Sequence, residues 1–190
     1  MSPSNTSERA LEESIERFLT GAVSDSGALE GTAAVGAAQA DYGGKGVGYV
    51  RGHSKDFNPE FALDTAKLWA FLEDTQAEEL AKLQYKPDWR QQIIERLHRK
   101  LKKDGILSLL KRGLDVDNAH LNLLYRLPYN SLNPEVSVKF ESNIFSVTRQ
   151  VYFSPTGSQS VDMVFFINGL PIATIELKNP WTGQNVNHAK

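Results

Sequence analysis

The chain contains no cysteine. Disulfides and cysteine-ligated zinc are therefore excluded, and the lack suits the reducing cytoplasm that is its expected location. Its four histidines, His53, His98, His120 and His188, are scattered without paired helical or turn spacing, so no histidine metal cluster is expected. Nor does any serine sit in a nucleophile-elbow pattern, which argues against a Ser–His relay. No apolar run reaches membrane-spanning length, and the N-terminus lacks the basic-then-apolar pattern of a signal peptide. Charge of one sign is also missing. Lys and Arg number 21 against 23 Asp and Glu, a formal net charge of −2. Such a surface exerts no overall pull on nucleic acid, so any such contact has to be local or supplied by partners. Finally, Gly43-Gly44-Lys45-Gly46 has neither the spacing nor the hydroxyl of a phosphate-binding loop, so ATP has no site in this chain.

What is present fits one domain, since 190 residues can bury one sizeable core. The spacing of Leu11, Ile15, Phe18 and Leu19 predicts a helix over residues 7–19, with Thr6 or Ser7 as its cap. Glu8, Glu12, Glu13 and Glu16 suit its positive N-terminal end, and four glutamates on one amphipathic helix read as a solvated face. Residues 21–52 are rich in Gly, Ala and Ser, a flexible or inserted segment, with a short strand around residues 48–50 as the alternative. Asn58-Pro59 reads as cap and first turn of a helix carrying Phe61, Leu63, Leu68, Trp69, Phe71 and Leu72. Further helices are expected over residues 77–83 and 89–103, the latter capped by Asp88 and stopped by Gly105. Arg90, Arg96, His98, Arg99, Lys100, Lys102 and Lys103 give that last helix a basic surface. It could touch phosphates or a neighbouring domain, or it could simply be solvated. Residues 121–125 and 136–140 alternate weakly as strands, and residues 144–153 form a clear strand ending at Ser154-Pro155-Thr156-Gly157. The expected layout is a helical insertion at 58–113 followed by a sheet at 136–180.

Two short runs carry the chemistry: Ser160-Val161-Asp162-Met163-Val164-Phe165-Phe166 and Ile172-Ala173-Thr174-Ile175-Glu176-Leu177-Lys178. Both are apolar and β-branched, and Asn168-Gly169 between them is a strong hairpin signal. Strands this hydrophobic normally exclude charge, yet they hold Asp162, Glu176 and Lys178. Glu176 and Lys178, two apart on one strand, share a face. Isolated strand charges are often edge gatekeepers or structural ion pairs. Here burying three such charges unpaired would cost several kcal/mol each, on the order expected for desolvated ions, which favours a mutual or metal-mediated arrangement. Two carboxylates can hold a hard divalent cation, and a lysine beside them can orient or activate water.

Asp162 followed by Glu176-Leu177-Lys178 resembles the core of the PD-(D/E)xK nucleases. Val164-Phe165-Phe166-Ile167-Asn168-Gly169-Leu170-Pro171-Ile172, running into Ile175-Glu176-Leu177-Lys178-Asn179-Pro180, resembles more narrowly the N-terminal nuclease domain of the restriction (HsdR) subunit of type I restriction–modification enzymes. Asn143-Ile144-Phe145-Ser146-Val147-Thr148-Arg149-Gln150-Val151 is similar to the strand preceding that family's catalytic hairpin. Phe71-Leu72-Glu73-Asp74-Thr75-Gln76 and Gly105-Ile106-Leu107, leading to Lys111-Arg112-Gly113, resemble further family segments.

The resemblance implies an α/β fold, a PD-(D/E)xK restriction-endonuclease-like core with a mixed sheet and a helical insertion. It implies Mg²⁺-dependent hydrolysis of phosphodiester bonds in duplex DNA. Asp162, Glu176 and the main-chain carbonyl of Leu177 would be metal ligands, Lys178 would serve the attacking water, and Glu12 best matches an acidic residue on the family's first helix. Methyltransferase and specificity subunits would be partners, and a C-terminal helicase motor, absent from these residues, would use ATP. The chain ends at Lys190 without the helix that usually follows, as expected of a piece of a longer protein. A standalone or repair-type nuclease and a non-catalytic docking module of the same fold are the alternatives.

Strand parity adds a geometric condition. A strict two-residue turn at Asn168-Gly169 pairs Ile167 with Leu170 and sets Asp162 opposite Ile175. Asp162 and Glu176 would then point to opposite faces. A shared cation therefore needs one extra residue, either in a three-residue loop, Asn168-Gly169-Leu170, or as a bulge within one strand.

Overall fold

The computed structural model describes residues 8–21, 48–128, 133–154, 157 and 159–177. In chain order these form α1 (Glu8–Thr20), β1 (Val50–Arg51), a single 3-10 turn (Ser54–Asp56), β2 (Phe57–Asn58), β3 (Leu63–Asp64), α2 (Thr65–Thr75), α3 (Ala77–Ala81), α4 (Trp89–Asp104) and α5 (Ile106–Arg112). There follow β4 (Leu114–Val116), β5 (Ala119–Leu121), α6 (Pro134–Glu141), β6 (Phe145–Tyr152), β7 (Ser160–Ile167) and β8 (Leu170–Ile175). The main sheet has the order β1-β6-β7-β8, with β1 parallel to β6 and the other neighbours antiparallel. The architecture is thus the mixed α/β arrangement expected.

The larger core belongs to the helices. Leu68, Phe71 and Leu72 of α2 pack with Ile93, Ile94 and Leu97 of α4, with Leu109, and with Leu114 and Leu121 of the β4–β5 hairpin. Each such side chain contributes about 1.5–3 kcal/mol by leaving water. A smaller cluster of Val151, Val164 and Phe166 lies on the sheet, covered by Phe57. Leu170, the first residue of β8, is fully buried in the helical core and so ties the two units together.

The tip of the β7–β8 hairpin is fixed from several sides. Asn168 and Gly169 both take positive φ (51° and 81°), as a type I′ turn requires. The buried Asn168 accepts from the Ile144 N–H at 2.6 Å and donates to the Leu123 carbonyl at 3.0 Å and to Asn143 Oδ1 at 2.9 Å. Asn143 in turn holds both main-chain groups of Tyr125. A β-carbon on Gly169 would lie 2.3 Å from the Asp64 carbonyl oxygen, so only glycine fits.

Three sequence expectations are corrected. Asn58-Pro59 does not open a helix. Asn58 ends β2, and its Oδ1 accepts from the Glu60 and Phe61 N–H groups, forming an Asx turn. The helix begins only at Thr65, where Asp64 caps by accepting from the Lys67 N–H at 2.9 Å. Residues 136–140 are not a strand. They belong to α6, because Asn133 caps through the Glu135 N–H at 3.0 Å and Pro134 presets the first turn. Third, α1 does not present its glutamates to solvent. Glu12 and Glu16 are buried, whereas Leu11 and Phe18 are 49% and 79% exposed. The short strand considered near residues 48–50 is present as β1; residues 22–47 lie outside the described residues.

Candidate active site

The β7–β8 register meets the parity condition. The turn has two residues and pairs Ile167 with Leu170 and Phe166 with Pro171, but Phe165 pairs with Ala173. Ile172 is therefore an extra residue, a bulge in the edge strand β8. Pro171 precedes it, and proline is tolerated at edges and bulges because it has no N–H for a ladder. Beyond the bulge Met163 pairs with Ile175, and the same register continued by one residue sets Asp162 opposite Glu176.

Asp162 sits half-buried in β7, and its Oδ2 accepts from the Leu177 N–H at 2.6 Å. That bond fixes the carboxylate against the backbone of the same segment that carries Glu176. Glu176 itself is exposed, just past the last residue of β8. Lys178 lies outside the described residues. The structure thus brings Asp162, Glu176 and Leu177 to one place on the hairpin.

On the other side of β7, strand β6 departs from regular geometry at the same level. Arg149 pairs with Met163 and Val151 with Val161, so Gln150 and Asp162 are the residues between. Gln150 has φ = 49°, a left-handed conformation uncommon for a side-chain-bearing residue. Its Nε2 donates to Glu12 Oε1 at 2.9 Å, and its Oε1 accepts from Ser160 Oγ at 3.1 Å.

Glu12 belongs to an ionic clamp that docks α1 on the sheet. The Arg149 guanidinium lies 3.3 Å from Glu12, 3.4 Å from Glu13 and 3.3 Å from Glu16, while Arg51 pairs with Glu16 at 3.1 Å. Glu12, Glu13 and Glu16 follow helical spacing on one face, so a single guanidinium can engage all three. This is why the acidic face of α1 turns inward. Glu12 Oε2 and Arg149 Nε are close enough for charge attraction yet aligned too poorly for a hydrogen bond, and both are buried. The half-exposed Glu13 is held below the usual carboxylate range, mainly by a hydrogen bond from Arg9 and further by the Arg149 charge.

Among the described residues, no three or more His, Asp or Glu side chains gather as a ready metal cage. Asp162, Glu176 and the Leu177 carbonyl are nevertheless all hard oxygen donors, the set that suits Mg²⁺. Glu12 bonds Gln150, which lies between the Arg149–Met163 and Val151–Val161 pairs, at the level of Asp162. Sequence reasoning missed Arg149 and Gln150, although an arginine and an amide inside the apolar strand 145–152 carry the same signal that singled out Asp162. The basic surface of α4 is partly consumed by its own neighbours. Arg90 pairs with Glu73 and stacks on Trp69 and Trp89 with ring distances of 4.8 and 5.0 Å, and Lys100 pairs with Asp104 at 3.1 Å.

Residues 48–190 match the family model described as the type I restriction enzyme R protein N terminus. The match includes the whole main sheet and the hairpin and leaves α1, with Glu12, outside it. Among curated proteins and solved structures, nothing matches the chain.

Proposed function

Since the chain belongs to the family of type I restriction enzyme R protein N termini, we propose that it is the Mg²⁺-dependent endonuclease domain of such a subunit, cutting duplex DNA. The observation that carries this reading is the Ile172 bulge; with the Met163–Ile175 register continued by one residue, Asp162 comes level with Glu176. In this reading Asp162, Glu176 and the Leu177 carbonyl hold the cation. When bound, Mg²⁺ would polarise the scissile phosphate and acidify a water. The protein's own groups do the rest. The Leu177 N–H fixes one oxygen of Asp162. Lys178 orients the attacking water or takes its proton. Glu12 adds an acidic group from α1. Methyltransferase and specificity subunits supply sequence recognition, and a helicase motor elsewhere in the subunit uses ATP; with a net charge of −2, the chain depends on them for DNA capture.

The test uses Mn²⁺ titration of the chain and cleavage of supercoiled plasmid by the assembled enzyme. Asp162→Ala and Glu176→Ala are expected to lose cation binding and cleavage together. Lys178→Ala is expected to keep the cation and lose cleavage. Full cleavage by Lys178→Ala would remove that residue from the chemistry. No Mn²⁺ binding by the wild-type chain would favour a docking module that retains the fold.

A further inference from the structure

Gln150 combines three observations that the cleavage chemistry just described leaves unused. It adopts φ = 49° within an eight-residue strand, a left-handed conformation strained for a residue with a β-carbon. It occupies the ladder position across from Asp162, between the Arg149–Met163 and Val151–Val161 pairs. Both ends of its side-chain amide are engaged, with Nε2 on Glu12 and Oε1 on Ser160. A glutamine chosen only to fill strand β6 would have no need of the left-handed backbone, which Gly would adopt without strain.

We propose that Gln150 is a positioning residue of the cleavage site, acting through Glu12. Its backbone turns the side chain out of the regular strand alternation, toward α1. Its amide then spans from Ser160 on β7 to Glu12 on α1, fixing the helix carboxylate at the level of Asp162. Arg149 alone cannot do this. It faces Glu12, Glu13 and Glu16 together and makes no hydrogen bond from Nε, so it supplies attraction without a defined orientation for Glu12. The directional contact comes from the amide. The proposal rests on the cleavage-site reading above and adds to it the residue that aims the acid of α1.

The experiment measures Mn²⁺ affinity and thermal midpoint of the chain, without DNA, in wild type, Gln150→Gly, Glu12→Ala and the double variant. Glycine accepts the positive φ and removes only the amide. Gln150→Gly is expected to weaken Mn²⁺ binding about tenfold, the scale seen when groups orienting a ligand are removed, while the midpoint stays near wild type. In the Glu12→Ala background the same substitution is expected to change the affinity less than twofold. Unchanged Mn²⁺ affinity in Gln150→Gly overturns the proposal, and so does a tenfold loss in both backgrounds, which would mean that Gln150 does not act through Glu12. If glycine unfolds the sheet, Gln150→Asn is judged by the same criteria, since Asn tolerates positive φ but is too short to reach both partners. Failure of the wild type to bind Mn²⁺ would instead count against the cleavage site itself, so the two failures are distinct.

Discussion

The Asp64 N–H donates to the Gly169 carbonyl at 2.9 Å, joining the tip of the β7–β8 hairpin to the residue that caps α2. A type I′ turn already asks for positive φ at both central residues; here the space around the second is closed as well. With φ = 81° and the Asp64 carbonyl 2.3 Å from a would-be β-carbon, Gly169→Ala combines backbone strain with a clash against main chain. We expect a loss of at least about 2 kcal/mol, within the range for such special positions, read from the urea midpoint. A loss below about 0.5 kcal/mol would show that the tip can move away from α2.

Asp64 carries a cost of its own. Burial raises its pKa above the ordinary carboxylate value, with the Lys67 N–H opposing more weakly. The native state therefore holds the proton more tightly than the unfolded chain. Stability falls as pH rises from the unfolded carboxylate value, about 4, through the raised native value, and is level above it. Asp64→Asn keeps a capping oxygen and carries no charge. It should match or exceed wild type near neutral pH and remove this group's part of the acid-limb slope, whereas Asp64→Ala should lose about 1 kcal/mol. Urea melts across that pH range distinguish the three proteins. A wild type more stable than Asp64→Asn at neutral pH would mean that the charge itself is favourable.

Arg149 is 15% exposed and faces three carboxylates. Arg149→Met leaves the buried Glu12 without a counter-charge, Glu13 with Arg9 and Glu16 with Arg51, and should cost about 3–5 kcal/mol. Adding Glu12→Gln and Glu16→Gln should recover part of that loss. Equal stability of Arg149→Met and wild type would rule out the clamp as a fold determinant.

Deleting Ile172 tests the bulge directly. The two-residue turn and the Phe166–Pro171 pair are kept, Ala173 then follows Pro171 in regular alternation, and Asp162 stays opposite Glu176. Leu170 and Phe166, on the turn side of the bulge, keep their buried places. We expect a folded protein by circular dichroism that still binds Mn²⁺ as wild type does. Loss of Mn²⁺ binding in the folded variant would show that the opposition of the two carboxylates does not suffice and that the bulge itself shapes the site.

The hairpin was legible because its signals are local. Asn168-Gly169 specifies its turn, and parity alone demanded an extra residue before any coordinates, although not its place at Ile172. The two Asn-Pro dipeptides show where local signals fail. Asn58-Pro59 and Asn133-Pro134 read alike, yet one closes an Asx turn and the other starts α6. Phe57 and Leu63, needed by a small sheet cluster and by the helical core, hold the first in an extended pair. Helix α1 was misjudged for a related reason. Its acidic stripe looks solvated until Arg149, distant in the sequence, is placed against it. Non-local charge pairing of that kind leaves no periodicity to read.

Helix α1 is also attached in a thermodynamically unusual way. Most helices leave a fold by exposing hydrocarbon, which raises the heat capacity and registers in calorimetry. Detaching α1 would expose carboxylates, a guanidinium and the partly buried Ile15 and Leu19, while Phe18 and about half of Leu11 are already in water. Its release should therefore leave only a small calorimetric trace and respond to ionic strength, because salt screens the partly exposed pairs of the clamp. Added salt, more than added heat, is the variable that separates this helix from the sheet beneath it.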